Sequence, residues 1–185
     1  YITVNISSPN TSGLRDFEEK DSMNKLLESI NKLRKNKNIK KPILIKLSPD
    51  INEKDVSDIM EIITRYEIDG IIISNTTNAN REKLLDIKKN EEGGLSGKPL
   101  KSISTEMIKK FYKESNKKIS IIGVGGVDSG QSAFEKIVSG ASVVQLYTGM
   151  VYKGPSIVKE IKKELISILN REGIKNIKEA VGIKA

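Results

Sequence analysis

The chain has 185 residues, of which 37% are hydrophobic and 30% charged, enough apolar material for one domain with a core and too much for a disordered segment. It has no cysteine and no histidine, which excludes a disulfide framework, thiolate chemistry, Cys-based zinc or iron–sulfur sites and any Ser-His pair. Its 32 basic residues against 24 acidic ones give a formal charge of +8, a balance that suits nucleic acid, an anionic membrane or an acidic ligand, although most of the excess is lysine spread along helical faces as on any solvated surface.

The first residues already read as a β-branched strand, Ile2 to Ile6, so the chain is expected to begin inside a larger protein. The turn that follows, Asn5-Ile6-Ser7-Ser8-Pro9-Asn10-Thr11, packs two amides and three hydroxyls behind a strand. A serine without histidine is a poor base unless a buried hydrogen-bond network carries its proton onward, and a capping motif or Asx turn explains the same residues. Met23, Leu26, Leu27, Ile30 and Leu33 then recur at helical spacing behind a cap expected at Asp21 or Ser22. The cluster Lys32, Arg34, Lys35, Lys37, Lys40 and Lys41 falls where that helix should end and its dipole favours cations.

The second strand, Ile43 to Leu47, contains Lys46 among apolar residues. An ammonium there is costly unless something anionic meets it, and alternation turns it away from Ile45 and Leu47. A bound ligand, a Schiff-base role and an edge lysine reaching water are the three readings. Val56, Ile59, Met60 and Ile63 form the next helical stripe behind Asn52, and Gly70 to Ser74 the third strand. Asn75-Thr76-Thr77 closes that strand with groups that offer donor and acceptor to a flat heterocycle, or that simply form a turn. The connection from Asn75 to Lys101 is long, is interrupted by Gly93-Gly94-Leu95-Ser96-Gly97, and reads as a lid or binding loop.

Met107, Ile108, Phe111 and Tyr112 mark a further helix, and Ile119 to Gly123 a fourth strand. Gly123-Val124-Gly125-Gly126 separates it from a helix starting near Ser129 or Gly130 and carrying Ala133, Phe134, Ile137 and Val138. Such a turn brings main-chain N–H groups close to an anion, or serves as a structural tight turn. The fifth strand, Ser142 to Leu146, leads through Tyr147-Thr148-Gly149 to a helix with Ile157, Val158, Ile161, Leu165 and Ile168. Alternating strands and helices predict an α/β fold with a parallel sheet. Five strands suit a flavodoxin-like sheet or part of a (β/α)8 barrel. The opening in mid-strand and the polar residues at the strand ends favour the partial barrel, with a phosphate site in its last two loops. Thr3 and Asn5, Leu44 and Lys46, and Ile72 and Ser74 are two apart, so each polar member shares a face with its partner and is expected to point into the barrel.

Six of these motifs, in register, resemble the C-terminal part of class 2, quinone-dependent dihydroorotate dehydrogenases. They are Asn5 to Thr11 with Gly13-Leu14-Arg15; Lys46-Leu47-Ser48-Pro49-Asp50; Asp69-Gly70 through Asn75-Thr76-Thr77; Gly93 to Leu100; Ile121 to Val127; and Gly140-Ala141-Ser142 through Gln145-Leu146-Tyr147-Thr148. The resemblance implies that residues 1–185 are the fourth to eighth strands of one FMN-binding (β/α)8 TIM-barrel domain, incomplete without its N-terminal half. It implies oxidation of dihydroorotate to orotate in pyrimidine synthesis, with hydride passing to FMN and on to a quinone. By that resemblance Ser8 is the catalytic base, a position where class 1 relatives use cysteine. Asn5, Asn10, Asn75 and Thr76 hold the substrate. Asn5, Lys46, Ser74, Ser96, Gly97, Gly125, Gly126, Tyr147 and Thr148 hold the cofactor, with Lys46 beside the ring's N1 and C2 carbonyl. The missing half would complete the site and bring peripheral association with the mitochondrial inner membrane in a eukaryote or the cytoplasmic membrane in a bacterium. No nucleic-acid partner and no metal are expected. Two other readings are an FMN barrel acting on RNA, as dihydrouridine synthases do with a cysteine acid that is absent here, and a non-catalytic half-barrel that binds a phosphorylated ligand.

Overall fold

The computed structural model describes residues 1–79 and 81–185. Five strands, β1 (Ile2–Asn5), β2 (Ile43–Leu47), β3 (Gly70–Ile73), β4 (Ser120–Val124) and β5 (Val143–Gln145), form one sheet in sequential order, every pair parallel. That order separates the two architectures left open above. A flavodoxin-like sheet places its first strand between the second and third, whereas a barrel adds strands consecutively. Between the strands lie α1 (Lys20–Asn36), α2 (Asp55–Arg65), α3 (Lys101–Glu114) and α4 (Gly130–Val138). After β5 come α5 (Thr148–Lys153), α6 (Ile157–Arg171) and α7 (Ile177–Ala180).

Strand alternation divides the apolar residues between two faces. Ile43, Ile45, Leu47, Ile71, Ile73 and Ile121 join Met23, Leu27, Ile59, Ile63, Ile108 and Phe111 in the main core beneath α1, α2 and α3. Leu44, Ile72 and Ile122 make a separate small cluster on the opposite face, with Val124 packed against it. The helical stripes are buried or half-buried where their spacing puts them except at Leu33 and Val158, which are exposed, and α1 ends at Asn36 inside the cationic cluster. Part of that cluster is structural, since Arg34 pairs with Asp69 at 2.9 Å and donates to the Glu67 carbonyl at 3.0 Å.

Helix starts depart from the expected caps. The first helix begins after Glu19, which places Asp21 inside the first turn, where its charge favours the helix dipole; the second begins after Lys54, with Asn52 one turn upstream donating to Asp55. Only Ser129 caps as expected, through a reciprocal box with Ser132. Strand ends shift by a residue: β1 and β3 stop at Asn5 and Ile73, and β4 runs from Ser120 to Val124. The long connection is closed by an antiparallel bridge between Thr77 and Leu95. Arg81 binds it together by donating to the carbonyls of Lys89 at 3.1 Å, Glu91 at 2.6 Å, and Gly93.

Phe111 is fully buried in the main core. Phe111→Ala should lower unfolding stability by about 3–5 kcal/mol, through the lost burial of the ring and the cavity left behind, and a denaturant titration would read it.

Candidate active site

At the C-terminal ends of the strands a cavity of about 990 Å³ opens on the face opposite the main core. Its size is at the top of the range usual for small-molecule sites, ~300–1,000 Å³. Lys46, Ser74, Asn75, Thr76, Ser96, Gly97, Gly125, Gly126, Tyr147 and Thr148 all line it. They come from the ends of β2, β3, β4 and β5 and from the long connection, so the fold gathers ten of the thirteen residue positions singled out above. Asn5, Ser8 and Asn10 are not part of that lining; Asn5 adjoins it through its bond to Asn75.

Lys46 reaches the cavity by register. It aligns with Asn5 on one side and Ile72 on the other, and shares its face with Leu44. It is half-buried, and burial alone pushes its ammonium below the ordinary lysine value, no charged neighbour offsetting the loss of water. A fixed cation in that setting favours an electron-rich or anionic ligand. Apolar Val124, Leu146, Leu95 and Leu100 line the same space and offer a flat ligand its contacts. At the far end, Thr148 Oγ1 donates to Ser96 Oγ at 2.9 Å and joins the long connection to the start of α5. Gly125 and Gly126 have φ of 115° and 71°, and no described residue accepts from their amide groups. Donors of that kind suit an anion such as a phosphate.

Asn5, Ser7 and the cavity-lining Asn75 form a polar triangle. Asn75 Nδ2 donates to Asn5 Oδ1 at 3.2 Å and to Ser7 Oγ at 3.1 Å, and Ser7 Oγ lies 3.1 Å from Asn5 Oδ1 as donor. Asn75 Oδ1 in turn accepts from the Thr76 amide at 2.8 Å. Ser8 is tied to Asn10, whose backbone N–H donates to Ser8 Oγ at 3.2 Å. Ser8 is thus joined to one of its expected neighbours, while the amide cluster closes through Ser7.

Four further groups received no role from the sequence. Arg15 donates to Asp50 at 2.9 Å, to the Thr76 carbonyl at 2.9 Å and to the Ser7 carbonyl at 3.2 Å, joining the ends of three strands. Asp50 also accepts from Thr77 Oγ1 at 2.5 Å. Both residues lie inside motifs quoted above, and only their distance along the chain hid the pairing. Glu18 accepts from the Ser48 amide at 2.6 Å just beyond Lys46, and burial raises its carboxyl from 4.5 to about 7 against the opposing pull of that N–H and of Arg15. Lys136 is completely buried.

A sheet with consecutive parallel strands and a ligand cavity at their C-terminal ends defines part of a (β/α)8-barrel protein. A sequence profile described as "Dihydroorotate dehydrogenase" matches residues 1–169. The chain is 47% identical over 183 residues to "Dihydroorotate dehydrogenase (quinone)" of Bartonella tribocorum, covering 97% of this chain and 51% of that protein. It is 43% identical over 185 residues to "Dihydroorotate dehydrogenase (quinone), mitochondrial" of Mus musculus, covering 99% of this chain and 47% of the mouse protein. A crystal structure of ligand-free DHODH from Eimeria tenella superposes with a TM-score of 0.93 at 34% identity, over 100% of this chain and 55% of that one. The chain belongs to the dihydroorotate dehydrogenase family, and it spans about half the length of the curated relatives it matches.

Glu18 supplies a pH test. Its carboxyl is raised in the fold, so between 4.5 and about 7 the folded state holds a proton that the unfolded state releases. Its contribution to stability is complete below 4.5 and is lost as pH rises through about 7, with a slope of up to ~1.4 kcal/mol per pH unit in that window. Glu18→Gln should flatten this slope in denaturant titrations at a series of pH values. An unchanged slope would assign it to other groups.

Proposed function

We propose that the protein carrying this chain oxidises dihydroorotate to orotate, with FMN as its bound cofactor and a quinone as final acceptor, as a step of pyrimidine synthesis. The observation that carries this reading is the single cavity in which Lys46, Asn75, Thr76 and the Gly125–Gly126 and Tyr147–Thr148 turns meet, in a chain whose relatives bear that enzyme's name. The residues fit such a cofactor. The apolar lining would take a flat ring, Lys46 would offer a cation to an electron-rich edge, and the unpartnered amides of the glycine turn would suit a phosphate. Ser74, Ser96, Gly97, Tyr147 and Thr148 complete the contacts.

Bound there, FMN would accept the hydride from the substrate. The chain's own residues do the rest. Lys46 holds positive charge at one edge of the cavity, in a setting where no other charge competes for it. Asn5, Asn75, Asn10 and Thr76 offer donors and acceptors to the carbonyl, imide and carboxylate groups of the pyrimidine, and the Asn5–Ser7–Asn75 bonds fix two of those amides before substrate arrives. Ser8 takes the proton from C5 of dihydroorotate as its own hydroxyl proton passes to water, which the partly exposed side chain can reach, and the Asn10 N–H donated to Ser8 Oγ stabilises the negative charge that develops there. The residues that complete the relatives' length would supply the remaining strands, the quinone site and association with a membrane, which is mitochondrial in eukaryotes and cytoplasmic in bacteria.

Anaerobic mixing of the purified protein with dihydroorotate tests this reading: yellow protein should bleach, and colourless protein that binds no FMN would refute it. Ser8→Ala should slow flavin reduction by about 10²–10⁴-fold while the absorbance of bound FMN persists. Fast reduction in that variant would remove Ser8 from the base role. Lys46→Met should weaken FMN retention or slow its reduction, and a variant with unaltered spectrum and kinetics would deny Lys46 its electrostatic part.

A further inference from the structure

Lys136 lies on α4 with no exposed surface and is not among the residues lining the cavity. Its ammonium donates to Ser104 Oγ at 2.6 Å, Thr105 Oγ1 at 3.0 Å and the Lys101 carbonyl at 3.4 Å. Those three bonds use all of its protons, and all three acceptors are neutral. The neighbouring carboxylate, Glu135, is engaged elsewhere, paired with Lys101 Nζ at 2.7 Å. A buried ammonium held by neutral oxygens keeps a charge that the protein itself does not cancel.

Ser104 connects that charge to the cavity. Because Lys136 donates to its hydroxyl oxygen, the single hydroxyl proton is turned toward the carbonyls around it, those of Leu100 at 2.9 Å, Gly125 at 3.3 Å and Lys101 at 3.4 Å. The Gly125 carbonyl therefore faces the buried cluster. In a trans peptide the carbonyl and the following N–H point in opposite directions, so the Gly126 N–H faces away from Ser104 and toward the cavity that both glycines line. No described residue accepts from it. The turn is pressed onto the start of α3, where a Cβ added to Gly126 would lie 2.7 Å from Lys101 Cα.

We infer that Lys136 and Ser104 are positioning residues for an anionic group in the cavity: they fix the Gly125–Gly126 peptide with its N–H outward and set an uncancelled positive charge behind it. The inference rests on the FMN reading of the site and identifies the anion as the cofactor's phosphate. The peptide supplies direction and the ammonium supplies charge from the far side of the turn.

The test compares FMN with riboflavin, which has the same ring and no phosphate. Dissociation constants for both are measured by fluorescence quenching on the purified full protein after flavin removal, for the parent, Lys136→Met and Ser104→Ala. Loss of a charge-assisted, oriented donor should weaken FMN about tenfold in Lys136→Met, with a smaller loss in Ser104→Ala, while riboflavin affinity stays within about twofold. A general packing defect would weaken the two ligands in parallel, and that result, or no change for either, overturns the inference. Should Lys136→Met not fold, the FMN-to-riboflavin ratio of Ser104→Ala decides alone. A parent protein that binds no FMN overturns the functional reading and this inference with it. A parent that binds FMN, with variants of unaltered selectivity, overturns the inference alone.

Discussion

The two-residue period of a parallel strand is the constraint on which both the core and the site depend. In β2, Ile43, Ile45 and Leu47 face the helices while Leu44 and Lys46 face the other side, Lys46 lining the cavity and Leu44 the small apolar cluster, and the neighbouring strands repeat the division in register. A one-residue slip would exchange the two sets, burying an ammonium among isoleucines and exposing the core. The apolar face therefore fixes the position of Lys46 as firmly as any contact made by Lys46 itself. The site inherits its precision from the packing of α1, α2 and α3 on the other side of the sheet.

Strand ends still need their loops aligned, and here the charged network around Arg15 acts. One guanidinium reaches the carbonyls after β1 and β3 and the carboxylate after β2. Asp50 passes the connection on to Thr77, which pairs with Leu95 at the neck of the long connection. Arginine suits this task because its donors are spread in a fixed plane. The amides of Asn5 and Asn75, which lie between these anchors, acquire a defined separation and lock through Ser7.

Much of this was legible in the sequence, for a physical reason. Elements announce themselves by period, and a polar group that breaks the period, as Lys46 does, marks a site. Glycine turns between strand and helix were equally plain. Helix starts were less so, because Asp21 serves the dipole from inside the first turn as well as it would cap from outside. Glu18 and Lys136 were hidden altogether. Each sits in a segment where a charged residue reads as solvent-facing, and only tertiary packing shows Lys136 enclosed by α3 and Glu18 bonded to the amide of Ser48. Ser7 carries no signal of its own in the sequence, because two adjacent hydroxyls are indistinguishable until the backbone decides which one turns inward; Ser7 is the fully buried one.

Two lysines, Lys46 and Lys136, are withdrawn from water without a carboxylate of their own, and burial pushes both below the ordinary lysine value, Lys136 to about 8. Each such ammonium subtracts from the stability of the ligand-free fold. Glu18 acts the same way from the acidic side, held in a setting that disfavours its charge. A ligand can offset groups of this kind, since any molecule that binds only the folded state stabilises it by RT ln(1 + L/Kd), where L is the free ligand concentration. An anionic cofactor that meets Lys46 directly, and Lys136 across the glycine turn, would return what burial removed at both places. With such a cofactor bound, stability and cofactor binding would be one equilibrium, and the charges that met the cofactor would be those that weaken the ligand-free fold.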